Sequence, residues 1–215
     1  MIKGAIFDVD GTLLDSMTMW RTFCSTFVRS FGKEPEDDLD EKVRYFTLRQ
    51  TSEYLSEHYG ILTPDEVGEL ADIRTREFYT EKTEPKEGAV EFVRMLKASG
   101  VKMYLASATY KNLLEAALKR VGILDCFEGI ITCPEVGAGK DKPDIFLEAL
   151  KRLGTDLSET WVFEDALHAV KTAKACGFKV FGMYDVTETD HRAELEALCD
   201  IYTDSYIGRT LSDFE

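Results

Sequence analysis

Ala5-Ile6-Phe7-Asp8-Val9-Asp10-Gly11-Thr12-Leu13-Leu14-Asp15-Ser16 is the stretch whose reading decides the fold. An apolar run ends in two aspartates spaced by two, and a Gly-Thr turn follows. In an extended strand, residues i and i+2 point to the same side. Asp8 and Asp10 are therefore expected to emerge together at the carboxyl end of a buried strand. Two such carboxylates need a cation, or one must hold a proton. Hard cations take oxygen ligands, so the pair points to Mg²⁺ chemistry. Asp-Gly alone is a common turn; the string from Phe7 to Ser16 asks for more than that.

The 215-residue chain has an apolar fraction of 44%, ordinary for a globular protein. Its 40 acidic against 26 basic residues give a formal charge of −14. Nucleic acids and anionic membranes are polyanions, so neither is an expected partner. No run of about 18 apolar residues offers a membrane span. Met1-Ile2-Lys3-Gly4 enters a strand at once, without a signal-peptide pattern. The five cysteines are scattered, with no Cys-x-x-Cys, and read as reduced thiols. A cytoplasmic monomer is expected.

Short apolar runs alternate with helical patterns. The runs at 4–7, 101–106, 129–132, 160–163, 179–182 and 200–202 read as strands covered on both faces. Helices are predicted at 88–99, 110–121, 143–153 and 165–176, with Gly100, Gly122, Gly154 and Gly177 as their caps. This alternation predicts an α/β fold, a doubly wound and mostly parallel sheet. Residues 17–85 contain no convincing strand, and about seventy residues is too long for a simple crossover. Helices at 17–31, 39–46, 49–59 and 64–81 are expected there. The predicted organisation is a catalytic core of residues 1–15 and 86–215, with an inserted α-helical domain at 16–85.

Three further pieces of chemistry lie where predicted strands end. Leu105-Ala106-Ser107-Ala108-Thr109 offers a hydroxyl and free N–H groups to a phosphoryl oxygen, although a helix-capping serine is the commoner explanation. Gly137-Ala138-Gly139-Lys140-Asp141-Lys142-Pro143-Asp144 carries two lysines in a glycine-punctuated loop. Val162-Phe163-Glu164-Asp165 ends another apolar strand in acid, which helix-dipole preference alone would also favour. Their shared position is the informative part. Ligand crevices in open α/β sheets lie at the carboxyl edge.

Across its full length the chain resembles the haloacid dehalogenase-like superfamily, in the β-phosphoglucomutase and phosphoglycolate phosphatase branch. The order that carries the resemblance is Asp8-Val9-Asp10-Gly11-Thr12, then Ser107, then Lys140 ahead of Pro143-Asp144, then Glu164-Asp165. The resemblance implies a Rossmann-like core, a helical cap, and Mg²⁺-dependent hydrolysis of a small phosphorylated metabolite. It makes Asp8 the nucleophile and Asp10 the acid–base. Lys140, Ser107 and the Ala108 N–H would bind phosphate. Asp8, the Asp10 carbonyl and Asp165 would hold the metal, with Glu164 behind or beside them. Where that branch often reads Lys-Pro-x-Pro-Asp, this chain has Asp141 and Lys142, so Lys142 stays a second candidate.

Trp20 and Arg49 are the cap residues offered to the substrate, against packing and surface roles. Mutases of the branch usually read Asp-Gly-Val and carry a histidine where Trp20 stands; Thr12 and Trp20 favour hydrolysis over the alternative of a sugar-phosphate mutase. Dehalogenases of the superfamily lack an equivalent of Asp10. A phosphorelay receiver also uses Asp, Ser/Thr and Lys around Mg²⁺, but has neither the second aspartate nor the insertion. His58, His168 and His191 receive no catalytic role.

Overall fold

Residues 1–43, 46 and 48–215 are described in the computed structural model of the chain. The apolar runs form β1 Gly4–Phe7, β2 Lys102–Ser107, β3 Gly129–Thr132, β4 Thr160–Glu164, β5 Lys179–Met183 and β6 Ile201–Thr203. All pair in parallel, in the order β3-β2-β1-β4-β5-β6. Alternation along each strand builds two apolar faces. Phe7, Phe163 and Phe181 sit side by side in register on one, and Ile6, Val162 and Val180 on the other. Phe7 stacks on Phe163 at 4.0 Å between ring centres. Burial on both faces is why these strands read as near-continuous apolar runs.

Helices Ala89–Ala98, Lys111–Arg120, Asp144–Leu153 and Leu167–Ala175 connect the strands, and the four predicted glycine caps all have positive φ. Two α-helices of the core that carries the sheet escaped the sequence reading, Cys133–Val136 and Arg192–Leu198. The second buries only Leu195, so its apolar periodicity is faint.

The strand order reverses direction between β1 and β4. That is the switch point at which such sheets leave a crevice beyond the strands' carboxyl ends. The Asp8 N–H donates to the Phe163 carbonyl at 2.9 Å, carrying the pairing one residue past β1. Asp8 and the Glu164–Asp165 pair therefore leave adjacent strands side by side.

Two compact units are present: Met1–Met17 with Thr83–Glu215, and Thr18–Lys82. In the first, the outgoing and returning segments pair with each other. Leu14 bridges Pro85, Asp15 N–H donates to Glu84 O at 2.9 Å, and Lys86 N–H donates to Leu13 O at 2.8 Å.

The second unit is helical, with Phe23–Arg29, Leu39–Val43, Leu48–Tyr59 and Pro64–Glu77, then a π-helical turn Phe78–Lys82. Phe27, Val28, Leu39, Leu55, Val67 and Ala71 form its core. Thr63 and Glu66 cap the Pro64 helix reciprocally. The single helix predicted over 17–31 is broken into Met17–Arg21 and Phe23–Arg29. The cause is tertiary: Asp40 Oδ1 accepts from the N–H groups of Cys24 and Ser25 at 2.8 and 3.1 Å, capping a fresh helix start after Thr22. Residues 44 and 45 of the predicted 39–46 helix lie outside the described residues. The predicted 64–81 helix ends in the π-helical turn rather than running on as an α-helix.

Among the described residues no helix is long and apolar enough to cross a membrane. All five cysteines are free.

Candidate active site

Asp8, Lys140, Glu164 and Asp165 meet at the switch point, all buried. Lys140 Nζ donates to Asp8 Oδ1 and, at 3.1 Å, to Glu164 Oε1. One carboxylate oxygen from each of Asp8, Glu164 and Asp165 lies within 4.8 Å of the others, a spacing that can hold a cation. Asp165 is fixed on its far side by the Thr12 hydroxyl, which donates to Oδ1 at 2.8 Å. Gly11 passes so close that a Cβ there would sit 2.3 Å from Asp165 Oδ2, and its φ of +86° also excludes other side chains.

The electrostatics follow from burial. Burial raises the Asp8, Glu164 and Asp165 carboxyls above their ordinary range; Lys140 opposes this at Asp8 and Glu164, while Glu164 and Asp8 reinforce it at Asp165. Burial works to discharge Lys140, but Asp8 and Glu164 outweigh it and push its pKa up. Three buried carboxyl groups thus face one ammonium, and burial favours protons on them that a bound cation would displace. Oxygen donors crowded in this way suit a hard divalent cation, which would balance the cluster.

Asp10 takes a different position from Asp8. Its Oδ1 accepts from Ser16 Oγ at 2.6 Å and its Oδ2 from Thr109 Oγ1 at 2.7 Å. The side chain is aimed by two hydroxyls rather than drawn into the acidic cluster. Ser107 ends β2 and is buried; its Oγ accepts from the Thr109 N–H at 3.1 Å. Ala108 is exposed on the same loop. The two candidate lysines separate clearly, because the side chain of Lys140 is 7% exposed against 63% for Lys142. Lys142 pairs with its neighbour Asp141 at 3.8 Å.

Trp20 and Arg49 belong to the helical unit. Trp20 Nε1 donates to the buried Tyr79 hydroxyl at 2.9 Å. Arg49 pairs with Glu53 at 2.8 Å on the surface. The sequence gives Ser16 and Thr109 no role of their own, and Thr12 enters it only through the Asp-Gly-Thr motif and the case for hydrolysis, not as a partner of Asp165. The only signal for them was the presence of hydroxyl residues beside the acidic and serine motifs.

Known proteins match the chain in family and in fold. A family model for haloacid dehalogenase-like hydrolase matches residues 2–177. The chain is 30% identical over 193 residues to the bifunctional riboflavin kinase/FMN phosphatase of Arabidopsis thaliana, covering 86% of this chain but 49% of that protein, about half its length. It is 28% identical over 204 residues to validoxylamine A 7'-phosphate phosphatase of Streptomyces hygroscopicus subsp. limoneus, covering 94% and 92%. The fold matches the crystal structure of CbbY from Rhodobacter sphaeroides in complex with phosphate, with a TM-score of 0.78 at 21% identity over 100% and 99% of the two chains. With the family match running from the first strand to beyond Glu164 and Asp165, the chain belongs to the haloacid dehalogenase-like hydrolases.

Proposed function

We propose that the chain is a Mg²⁺-dependent phosphatase that hydrolyses a small phosphorylated metabolite through an aspartyl phosphate on Asp8. The observation that carries this reading is the buried cluster of Asp8, Lys140, Glu164 and Asp165 at the switch point. Relatives named as phosphatases of FMN and of validoxylamine A 7'-phosphate support the substrate class.

An Asp8 oxygen attacks phosphorus, and the bond to the leaving oxygen breaks as Asp10 supplies its proton. Water then attacks the same phosphorus, Asp10 takes its proton, and Asp8 is released. Such acid–base help is typically worth ~10²–10⁴ in rate. Ser16 and Thr109 keep Asp10 aimed through both half-reactions. Lys140, the Ser107 hydroxyl and the Ala108 N–H bind the phosphoryl oxygens. Asp8, Asp165 and the Asp10 carbonyl would hold Mg²⁺, with Glu164 behind them, and the ion would supply charge neutralisation at the phosphoryl group. Thr18–Lys82 is the cap that reads the rest of the substrate. An exposed ion pair such as Arg49–Glu53 contributes at most ~1 kcal/mol, so Arg49 can exchange Glu53 for an anionic group at little cost.

Two predictions follow from the cluster. Phosphate release from p-nitrophenyl phosphate is expected with Mg²⁺ and is expected to vanish after EDTA treatment; activity surviving exhaustive chelation contradicts the metal role. Robust isomerisation of β-glucose 1-phosphate with little phosphate released contradicts hydrolysis in favour of a mutase.

The second concerns pH. Because burial raises these carboxyls, the metal-free fold holds protons that the unfolded chain has already lost. Its stability therefore falls as pH rises from the ordinary carboxylate range through the raised values. Mg²⁺ competes with those protons, so it should raise the melting temperature more at about pH 8 than at about pH 5.5. An equal shift at both pH values contradicts the account.

A further inference from the structure

Tyr206 lies in the segment after β6, outside the residues matched by the family model. Its ring is buried between Phe92 and Phe181, at 4.9 and 5.6 Å between centres. The surrounding seam, with Phe163 and Phe214, is apolar. A phenylalanine would serve that packing equally well. A buried hydroxyl costs free energy unless it is bonded, so the hydroxyl itself needs a reason. It donates to the Thr12 carbonyl at 3.1 Å, a buried contact spanning 194 residues.

Thr12 is the residue whose hydroxyl fixes Asp165. The loop it belongs to is tight. Gly11 N–H donates to Leu14 O at 2.8 Å, and the Leu13 and Leu14 N–H groups both donate to Val9 O. A displacement of the Thr12 carbonyl is therefore passed to the whole turn. The strap bearing Tyr206 is itself anchored. Tyr206 N–H donates to Glu87 O at 3.0 Å, and the Ser205 hydroxyl to the same oxygen at 3.2 Å. It presses so closely on Gly88 that a Cβ there would lie 2.8 Å from the Ile207 nitrogen.

We propose that Tyr206 is a positioning residue of the active site: its hydroxyl clasps the Thr12 carbonyl and thereby sets where the Thr12 hydroxyl holds Asp165. The effect on cation binding rests on the metal-site reading of Asp165; the clasp on the loop does not.

The test is Tyr206→Phe, which keeps the ring and removes one hydrogen bond. Hydrogen exchange of the metal-free chain is expected to quicken about fivefold at the Gly11, Leu13 and Leu14 amides, the scale of one lost neutral hydrogen bond. The amides of β5 and of Ala89–Ala98 should be unaffected. Equilibrium titration with Mn²⁺ should weaken by about the same factor, and that weakening should disappear in a Thr12→Val background, where the link to Asp165 is already cut. Wild-type exchange over residues 9–14, quickened exchange spread through the sheet, unchanged Mn²⁺ affinity, or an undiminished effect on top of Thr12→Val would each overturn the proposal. If the wild-type chain binds no Mn²⁺, the metal-site reading alone fails, and the exchange result still decides the clasp.

Discussion

Asp8→Asn is expected to abolish phosphate release while leaving the fold intact. An amide cannot attack phosphorus, and losing a nucleophile costs on the order of 10⁴-fold or more. The substitution keeps the side chain's size in a buried position. It also removes one of three crowded carboxylates, while Lys140 keeps Glu164 as a partner. The metal-free variant should therefore melt no lower than the wild type. Stopped assays with p-nitrophenyl phosphate and thermal unfolding check both halves. Retention of more than a few per cent of the wild-type rate would remove Asp8 from the role of nucleophile.

The second large effect is a contrast between two lysines separated by one residue. Lys140→Ala strips the buried cluster of its ammonium and leaves Asp8 and Glu164 uncompensated. Breaking a buried ion network in this way costs about 3–5 kcal/mol, read by urea unfolding without metal near neutral pH. The penalty should shrink as pH falls, because protonated carboxyls no longer need the lysine. Turnover should drop about 10²–10³-fold, the scale of losing one preorganised charge at a reacting centre. Lys142→Ala should change stability by less than about 0.5 kcal/mol, since its pair with Asp141 is exposed. Equal losses, or the reverse ranking, would contradict the assignment of Lys140.

The core sheet was legible because its strands are buried on both faces. Runs such as Ala5-Ile6-Phe7 and Trp161-Val162-Phe163 carry no polar interruption that another structure could exploit. The acidic motifs were legible because each directly follows such a run. What the sequence hid is tertiary. Nothing near Thr22 announces the break that Asp40 imposes from 15 and 16 residues away. Arg192–Leu198 covers the core with little more than Leu195.

The residues that aim the carboxylates were hidden for the same reason. Thr109 reaches Asp10 across 99 residues, Thr12 reaches Asp165 across 153, and Tyr206 reaches Thr12 across 194. Single hydroxyls with distant partners leave no periodicity to read. The lysine ambiguity had a local cause: Lys140 and Lys142 share one short loop, and only the fold determines which of them turns inward.

The claim on which the rest depends is that Asp8 carries the phosphoryl group. Rapid acid quenching during turnover, followed by borohydride reduction and peptide mapping, tests it directly, since an acyl phosphate is reduced to the alcohol. The account predicts homoserine at position 8, formed only with substrate present and absent in Asp8→Asn. Steady phosphate release with position 8 unreduced, or reduction at another carboxylate, would contradict it.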